Sequence, residues 1–292
     1  MRTSKTMRRV MAGLLIAVGL MLLVVIPAAA ITWGEVDEEN HYANVGAIMV
    51  FGPTEQAPDG EWWQFCSGTL IDPYIFLTAG HVTAGLSSLL SSGAISAIAV
   101  NFNVDSLDLG VDESALHDVV QVETHPDFDW FPASDRHDVG VLIFAEPVEG
   151  ITPATVAPVG QLDELKADKM LKKQPYFAVV GYGGTLNWPP SSPGPRWTFD
   201  HHRQFAVSEY LALRPAWLQL SQNHAAGDGG TGPYDSGGPT FWTNPDTGET
   251  VLVSLTSWGD MQCVATGTTY RVDIPGTDEF LDDVFEMVYG EP

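Results

Sequence analysis

The sequence predicts an all-β protein, built as barrels or sandwiches, with one C-terminal helix and a removable N-terminal segment. Two observations predict the β architecture. From Tyr42 onward, short runs rich in Val, Ile, Phe and Tyr are separated by Gly, Pro and Asp, which is how half-buried strands and their turns read. Helical periodicity is also scarce, so the strands have no regular crossover helices and a βαβ sheet is disfavoured.

At the N-terminus, Arg2, Lys5, Arg8 and Arg9 precede an apolar run from Met11 to Ile26. Pro27 ends that run, and Ala28-Ala29-Ala30 supplies the small-residue pattern of a cleavage site. This is the layout of a secretory signal peptide. The apolar run falls short of the roughly twenty residues a membrane span needs, so residues 1–30 are expected to be cut off on export.

The strand runs then follow in order: Val45–Phe51, Gly68–Ile71, Ile75–Thr78, Ala97–Phe102, Val119–Glu123, Val139–Phe144, Tyr176–Tyr182, Trp217–Ser221 and Thr250–Ser257. Gln161–Lys173 is polar and helix-compatible, and stands where two halves would join. Asn187–Arg196 is a proline-rich loop. Asn244–Gly248, between Phe241-Trp242 and Val251-Leu252-Val253, reads as a hairpin loop. After Pro275, Phe280, Leu281, Val284, Phe285 and Val288 share one helical face, and Asp278 and Glu279 favour its first turn.

Composition excludes some partners. Without residues 1–30, which hold four of the 13 Lys and Arg, nine cations face 37 Asp and Glu, a charge of about −28. Such a surface repels nucleic acid and anionic membranes. Two cysteines, Cys66 and Cys263, are too few for a disulfide framework in an exported chain. No His-x-x-x-His pair or carboxylate–histidine cluster suggests a metal. His201-His202 are adjacent, so on a strand they would point opposite ways. No cofactor is implied, and no loop fits a calcium pattern.

Three residues stand in chemically suggestive contexts. Ser236 lies in Asp235-Ser236-Gly237-Gly238-Pro239, where the glycines allow a sharp turn with peptide N–H groups beside the hydroxyl. On its own this reads equally well as a structural turn. His81 follows Leu77-Thr78-Ala79-Gly80 at the end of a β run. Asp138 heads the apolar run Val139–Phe144, where a carboxylate needs a partner. An imidazole would serve catalysis, and a turn or Arg136 would serve structure.

Taken in order, these segments resemble the signatures of the trypsin/chymotrypsin family of secreted serine proteases. Leu-Thr-Ala-Gly-His81, Asp138-Val-Gly-Val-Leu and Asp235-Ser-Gly-Gly-Pro are the principal matches. Cys66–Ile71, Val180-Gly181-Tyr182-Gly183, Ser257-Trp258-Gly259 and Tyr270-Arg271-Val272 support them. The order His, Asp, Ser also differs from that of subtilisins and α/β-hydrolases.

The resemblance implies a chymotrypsin-like pair of six-stranded antiparallel β-barrels with a C-terminal α-helix. The first barrel would cover about 31–155, the second about 156–275, and the helix about 277–289. It implies that His81, Asp138 and Ser236 form a catalytic triad hydrolysing peptide bonds through an acyl-enzyme. The N–H groups of Tyr234 and Ser236 would form the oxyanion hole. Gly230, Ser257, Trp258, Gly259 and Thr268 would bind substrate. Gly230 in place of a carboxylate disfavours Lys or Arg, and Thr268 would narrow the pocket toward small or medium apolar side chains.

An Ile31 amino terminus exposed by signal cleavage would pair with Asp235, so that export alone activates the enzyme. Three features depart from the family pattern. Tyr234 replaces a glycine, and the expected partners of Cys66 and Cys263 are Val82 and Gly232, so both thiols should be free. An impaired homologue acting as a binding module, and an esterase using the same triad, are the competing functions.

Overall fold

The computed structural model describes residues 31–107, 113–131, 134–187, 196–260 and 262–290. The signal segment and most of the Asn187–Arg196 loop therefore lie outside the described residues. Two closed six-stranded antiparallel barrels account for nearly all the strands. The chain begins with β1 (Glu35–Val36). The first barrel comprises β2 (Val45–Gly52), β3 (Glu61–Asp72), β4 (Ile75–Thr78), β5 (Ala97–Asn101), β6 (Leu116–Thr124) and β7 (Gly140–Phe144). Its strand order is β2-β3-β4-β7-β6-β5, closed by the pairing of β5 with β2.

The second barrel comprises β8 (Tyr176–Gly181), β11 (Gln204–Leu213), β12 (Trp217–Ser221), β13 (Pro239–Thr243), β14 (Thr250–Gly259) and β15 (Thr266–Arg271). It closes because β8 pairs with both β11 and β13. Between β8 and β11, β9 (Thr185–Asn187) and β10 (Arg196–Thr198) form a separate ribbon.

Strand β2 shows why its sequence is apolar throughout. Ile48 and Val50 fill the first barrel, while Val45, Ala47 and Met49 point the other way into the cluster between the barrels. With a period of two, a strand buried on both faces has no polar face to alternate with. The cluster between the barrels also takes Leu77 and Val141 from the first, and Val180, Phe241, Leu255 and Tyr270 from the second. A buried cation joins the two halves where sequence gave no sign of one. Arg203 donates from Nε to Asp37 at 2.9 Å and from Nη1 to the carbonyls of Val45 and Phe102 and to Tyr182 Oη. Asn40 accepts from its Nη2. A charge this deeply buried persists because every face of it is paired.

The chain enters the first barrel only after a short segment laid on the second. β1 pairs with β11, and Thr32 bridges to Gly230, so residues 31–36 belong to the second barrel. The helices also exceed the expected single one. α1 (Gly80–Ser92) follows β4, and the connector forms α2 (Gln161–Ala167) and α3 (Met170–Lys173). α1 is rich in Ser, Thr and Gly, which are weak helix formers. Burial of Val82, Thr83 and Leu86, and an αL cap at Gly93 whose N–H reaches the last carbonyls, hold it instead. The C-terminal helix α4 (Pro275–Tyr289) starts at a proline, as helices often do, and buries Phe280, Leu281 and Val284. Among the described residues, no helix is long and apolar enough to cross a membrane.

Candidate active site

The register of β4 on β7 brings His81 and Asp138 together. Thr78 pairs with Gly140 in an antiparallel ladder. Continuing β4 forward and β7 backward therefore carries the first turn of α1 alongside the residues just before β7. His81 Nδ1 lies 3.0 Å from each carboxylate oxygen of Asp138, and the His81 backbone N–H donates to Oδ1 at 2.8 Å. Ser257, from β14, donates its hydroxyl to Oδ2. A carboxylate can only accept, so Nδ1 carries the imidazole proton and Nε2 is left as the basic nitrogen. Asp138 is 1 % exposed. Burial pushes its pKa up, but the His81 charge and the hydrogen bonds from His81 and Ser257 outweigh that and hold it below the usual carboxylate value.

Ser236 sits on the loop before β13, and the first barrel clamps that loop. The Ser67 N–H donates to the Ser236 carbonyl at 3.1 Å, and Ser67 Oγ donates to the Tyr234 carbonyl at 3.1 Å. The turn depends on glycine at 237, where φ is +78° and a Cβ would stand 1.9 Å from Thr78 Oγ1. Tyr234 adopts φ +71°, a conformation that costs an L-residue on the order of 1 kcal/mol. Its ring is partly exposed and meets Phe199 edge-on at 5.1 Å. Among the described residues, the N–H groups of Tyr234 and Ser236 and the Ser236 hydroxyl make no hydrogen bond. All three are thus unclaimed in the cleft.

Asp235 is fully buried, and its carboxylate accepts from the N–H groups of Gly183 at 2.8 Å and Gly232 at 2.7 Å. Glycines at 181 and 183 make room for it, since a Cβ there would come within 2.1 and 2.5 Å of its atoms. Burial pushes the Asp235 pKa up to about 7, against the pull of those two donors.

Ile31, expected to pair with Asp235 once cleavage frees its amino group, is seen here with residues 1–30 still attached. The Ile31 side chain is buried, and its N–H donates to Gln204 Oε1 at 3.2 Å. In the uncut chain that nitrogen is an uncharged amide, and both Asp235 oxygens already have donors. Ladder bonds of 2.9 Å between Thr32 and Gly230, together with β1 on β11, hold this segment against the second barrel.

The remaining expected residues also find places. Trp258 and Gly259 pair with β15 on one side, with Ser257 at a break in the register, while the ladder to β13 ends at Leu255, leaving the other edge open. Trp258 is half-exposed and packs edge-on against Trp217 at 6.2 Å. Gly230 faces the side chain of Gln222, and so does Gly267. Thr268 follows Gly267 on β15, so the two residues face opposite sides of the strand, and it is at Gly267 that a Cβ would meet Gln222. Nothing in the sequence marked Gln222. Trp130, also unforeseen, stands exposed with its ring 6.3 Å from that of His81. Both thiols are free, Cys66 buried and Cys263 half-buried. Burial, then the charges of Asp260 and Asp235, push the Cys263 thiol up to about 11.

The family model described as trypsin matches residues 49–280, which span every one of these groups except Ile31 and Thr32. The chain belongs to the trypsin family. Membership implies protein or peptide as the substrate class.

Proposed function

We propose that this trypsin-family protein is a secreted serine endopeptidase with His81, Asp138 and Ser236 as its triad. The observation that carries this reading is the His81–Asp138 pair, held by Ser257 and by the His81 main chain, beside a serine loop with unclaimed N–H donors. In the proposed mechanism Ser236 Oγ attacks the scissile carbonyl and passes its proton to His81 Nε2. Asp138 stabilises the imidazolium. The N–H groups of Tyr234 and Ser236 receive the oxyanion. His81 then protonates the departing amine, leaving an acyl-Ser236. Water, deprotonated by His81, attacks that ester and releases the acid. The open edge of Ser257–Gly259 suits a peptide docking as an added strand, which favours peptide over simple ester.

No metal or cofactor enters this chemistry. Export rests on residues 1–30, with cleavage after Ala30. Turnover of an internally quenched peptide by the 31–292 protein, lost in Ser236→Ala, is the expected result. Equal turnover by both proteins would contradict it, and cleavage of esters but no peptide amide would favour an esterase.

A further inference from the structure

Three glycines converge on one side chain. A Cβ at Gly230 would stand 2.2 Å from Gln222 Cγ and 2.3 Å from its Nε2. One at Gly267 would stand 3.3 Å from Gln222 Cδ, and one at Gly259 3.4 Å from Oε1. Gln222 therefore fills the space that these three glycines leave open, from the buried Gly230 end toward the exposed Gly259 end. Its backbone N–H is tied to the Ala265 carbonyl at 3.0 Å, so its main chain is anchored to the loop after β14.

The amide orientation is fixed. Gln222 Nε2 donates to the Thr231 carbonyl at 2.8 Å and to Thr231 Oγ1 at 3.3 Å. A carbonyl can only accept, so nitrogen faces Thr231 and oxygen faces away from it. The residue is 2 % exposed, yet Oε1 has no hydrogen-bond partner among the described residues. Buried side-chain oxygens are seldom left so. Of all the Gln222 atoms, it is this oxygen that a side chain at Gly259 would meet.

We propose that Gln222 determines specificity in this pocket, selecting a short side chain that carries a hydrogen-bond donor before the scissile bond. Serine, threonine and asparagine fit that description. The inference rests on the endopeptidase reading and replaces the apolar preference expected from sequence. Two features drive it. Gln222 occupies the depth that a long side chain would need, and the unpaired acceptor is satisfied by a hydroxyl or amide but left unpaired by a methyl.

The test compares near-isosteric pairs in a readout that needs no triad. Product-like tetrapeptides ending in Thr or Val, and in Asn or Leu, are titrated calorimetrically into Ser236→Ala and into Ser236→Ala carrying Gln222→Leu or Gln222→Ala. The donor-bearing peptide of each pair should bind about tenfold more tightly to the parent. Gln222→Leu should bring both ratios near one, and Gln222→Ala should favour Leu over Thr by opening the pocket. Ratios near one in the parent, or ratios untouched by both Gln222 variants, would overturn the proposal. Failure of Ser236 to react with an active-site label would instead overturn the endopeptidase reading and leave these ratios standing.

Discussion

The Ser67 backbone N–H, on β3 of the first barrel, donates to the carbonyl of Ser236 in the second barrel at 3.1 Å. The same residue's hydroxyl donates to the Tyr234 carbonyl and accepts from the Tyr182 N–H at 3.0 Å. One serine thus fixes the direction of two peptide planes around the candidate nucleophile. Those two planes carry the Asp235 and Gly237 N–H groups, which donate to the carbonyls of Gly232 and Thr256, while the Tyr234 and Ser236 N–H groups between them stay unclaimed. Ser67→Ala removes only the hydroxyl bonds. It should cost about 1–2 kcal/mol of stability and slow acylation of Ser236 by about tenfold, measured as labelling rate beside Tm.

Tyr234 departs from its family's glycine, and its positive φ carries a penalty. Tyr234→Gly removes that penalty but also loses the Phe199 ring contact, which contributes about 0.5 kcal/mol or more. The variant should be more stable by on the order of 0.5 kcal/mol, with labelling undiminished. A fall in labelling would show that the tyrosine helps to aim its own N–H.

Asp235 makes stability depend on pH in a defined direction. Its folded pKa is raised from 3.8 to about 7, so between those values the native state holds a proton that the unfolded chain releases. Stability from this group is full below about pH 4 and falls as pH rises toward about 7, by a few kcal/mol at most. Asp138 acts oppositely, because its depressed pKa adds stability that is lost only as the medium becomes strongly acidic. Asp235→Asn should therefore flatten the decline of Tm between about pH 4.5 and pH 7.5. A parallel decline in both proteins would contradict the assignment.

Gly183 and Gly232 donate to Asp235 while the Ile31 nitrogen is still an amide, so the serine loop should keep its shape without an Ile31 ammonium. A short Gly-Ser extension before Ile31 should leave labelling of Ser236 within about twofold of the 31–292 protein. Loss of labelling by about a hundredfold or more would restore the ion pair as the activating contact.

Strands that carry their own apolar pattern were legible in the sequence: β4 and β12 begin and end at the expected residues. β11 was not, because Gln204–Leu213 mixes buried Gln204 and Ser208 with exposed Val207 and Leu211. α1 was hidden for a related reason, since tertiary burial holds a segment of low helix propensity. His81, Asp138 and Ser236 were each recognisable from flanking residues, because tight turns demand particular neighbours. Partners acting from a distance were not legible. Ser67 stands in a recognisable motif, yet its partner Tyr234 lies 167 positions away, and Arg203 lies 166 from Asp37. Gln222 becomes visible only when three separate glycines are brought to one place.

The central claim is that His81, oriented by Asp138, activates Ser236. The most direct measurement is the rate of fluorophosphonate labelling of the 31–292 protein against pH, with the labelled peptide mapped by mass. The account predicts stoichiometric label on Ser236, a rate that rises as an imidazole loses its proton, and a fall on the order of 10⁴ in Asp138→Asn. A folded protein that takes no label, or takes it at the same rate in Asp138→Asn, would contradict it.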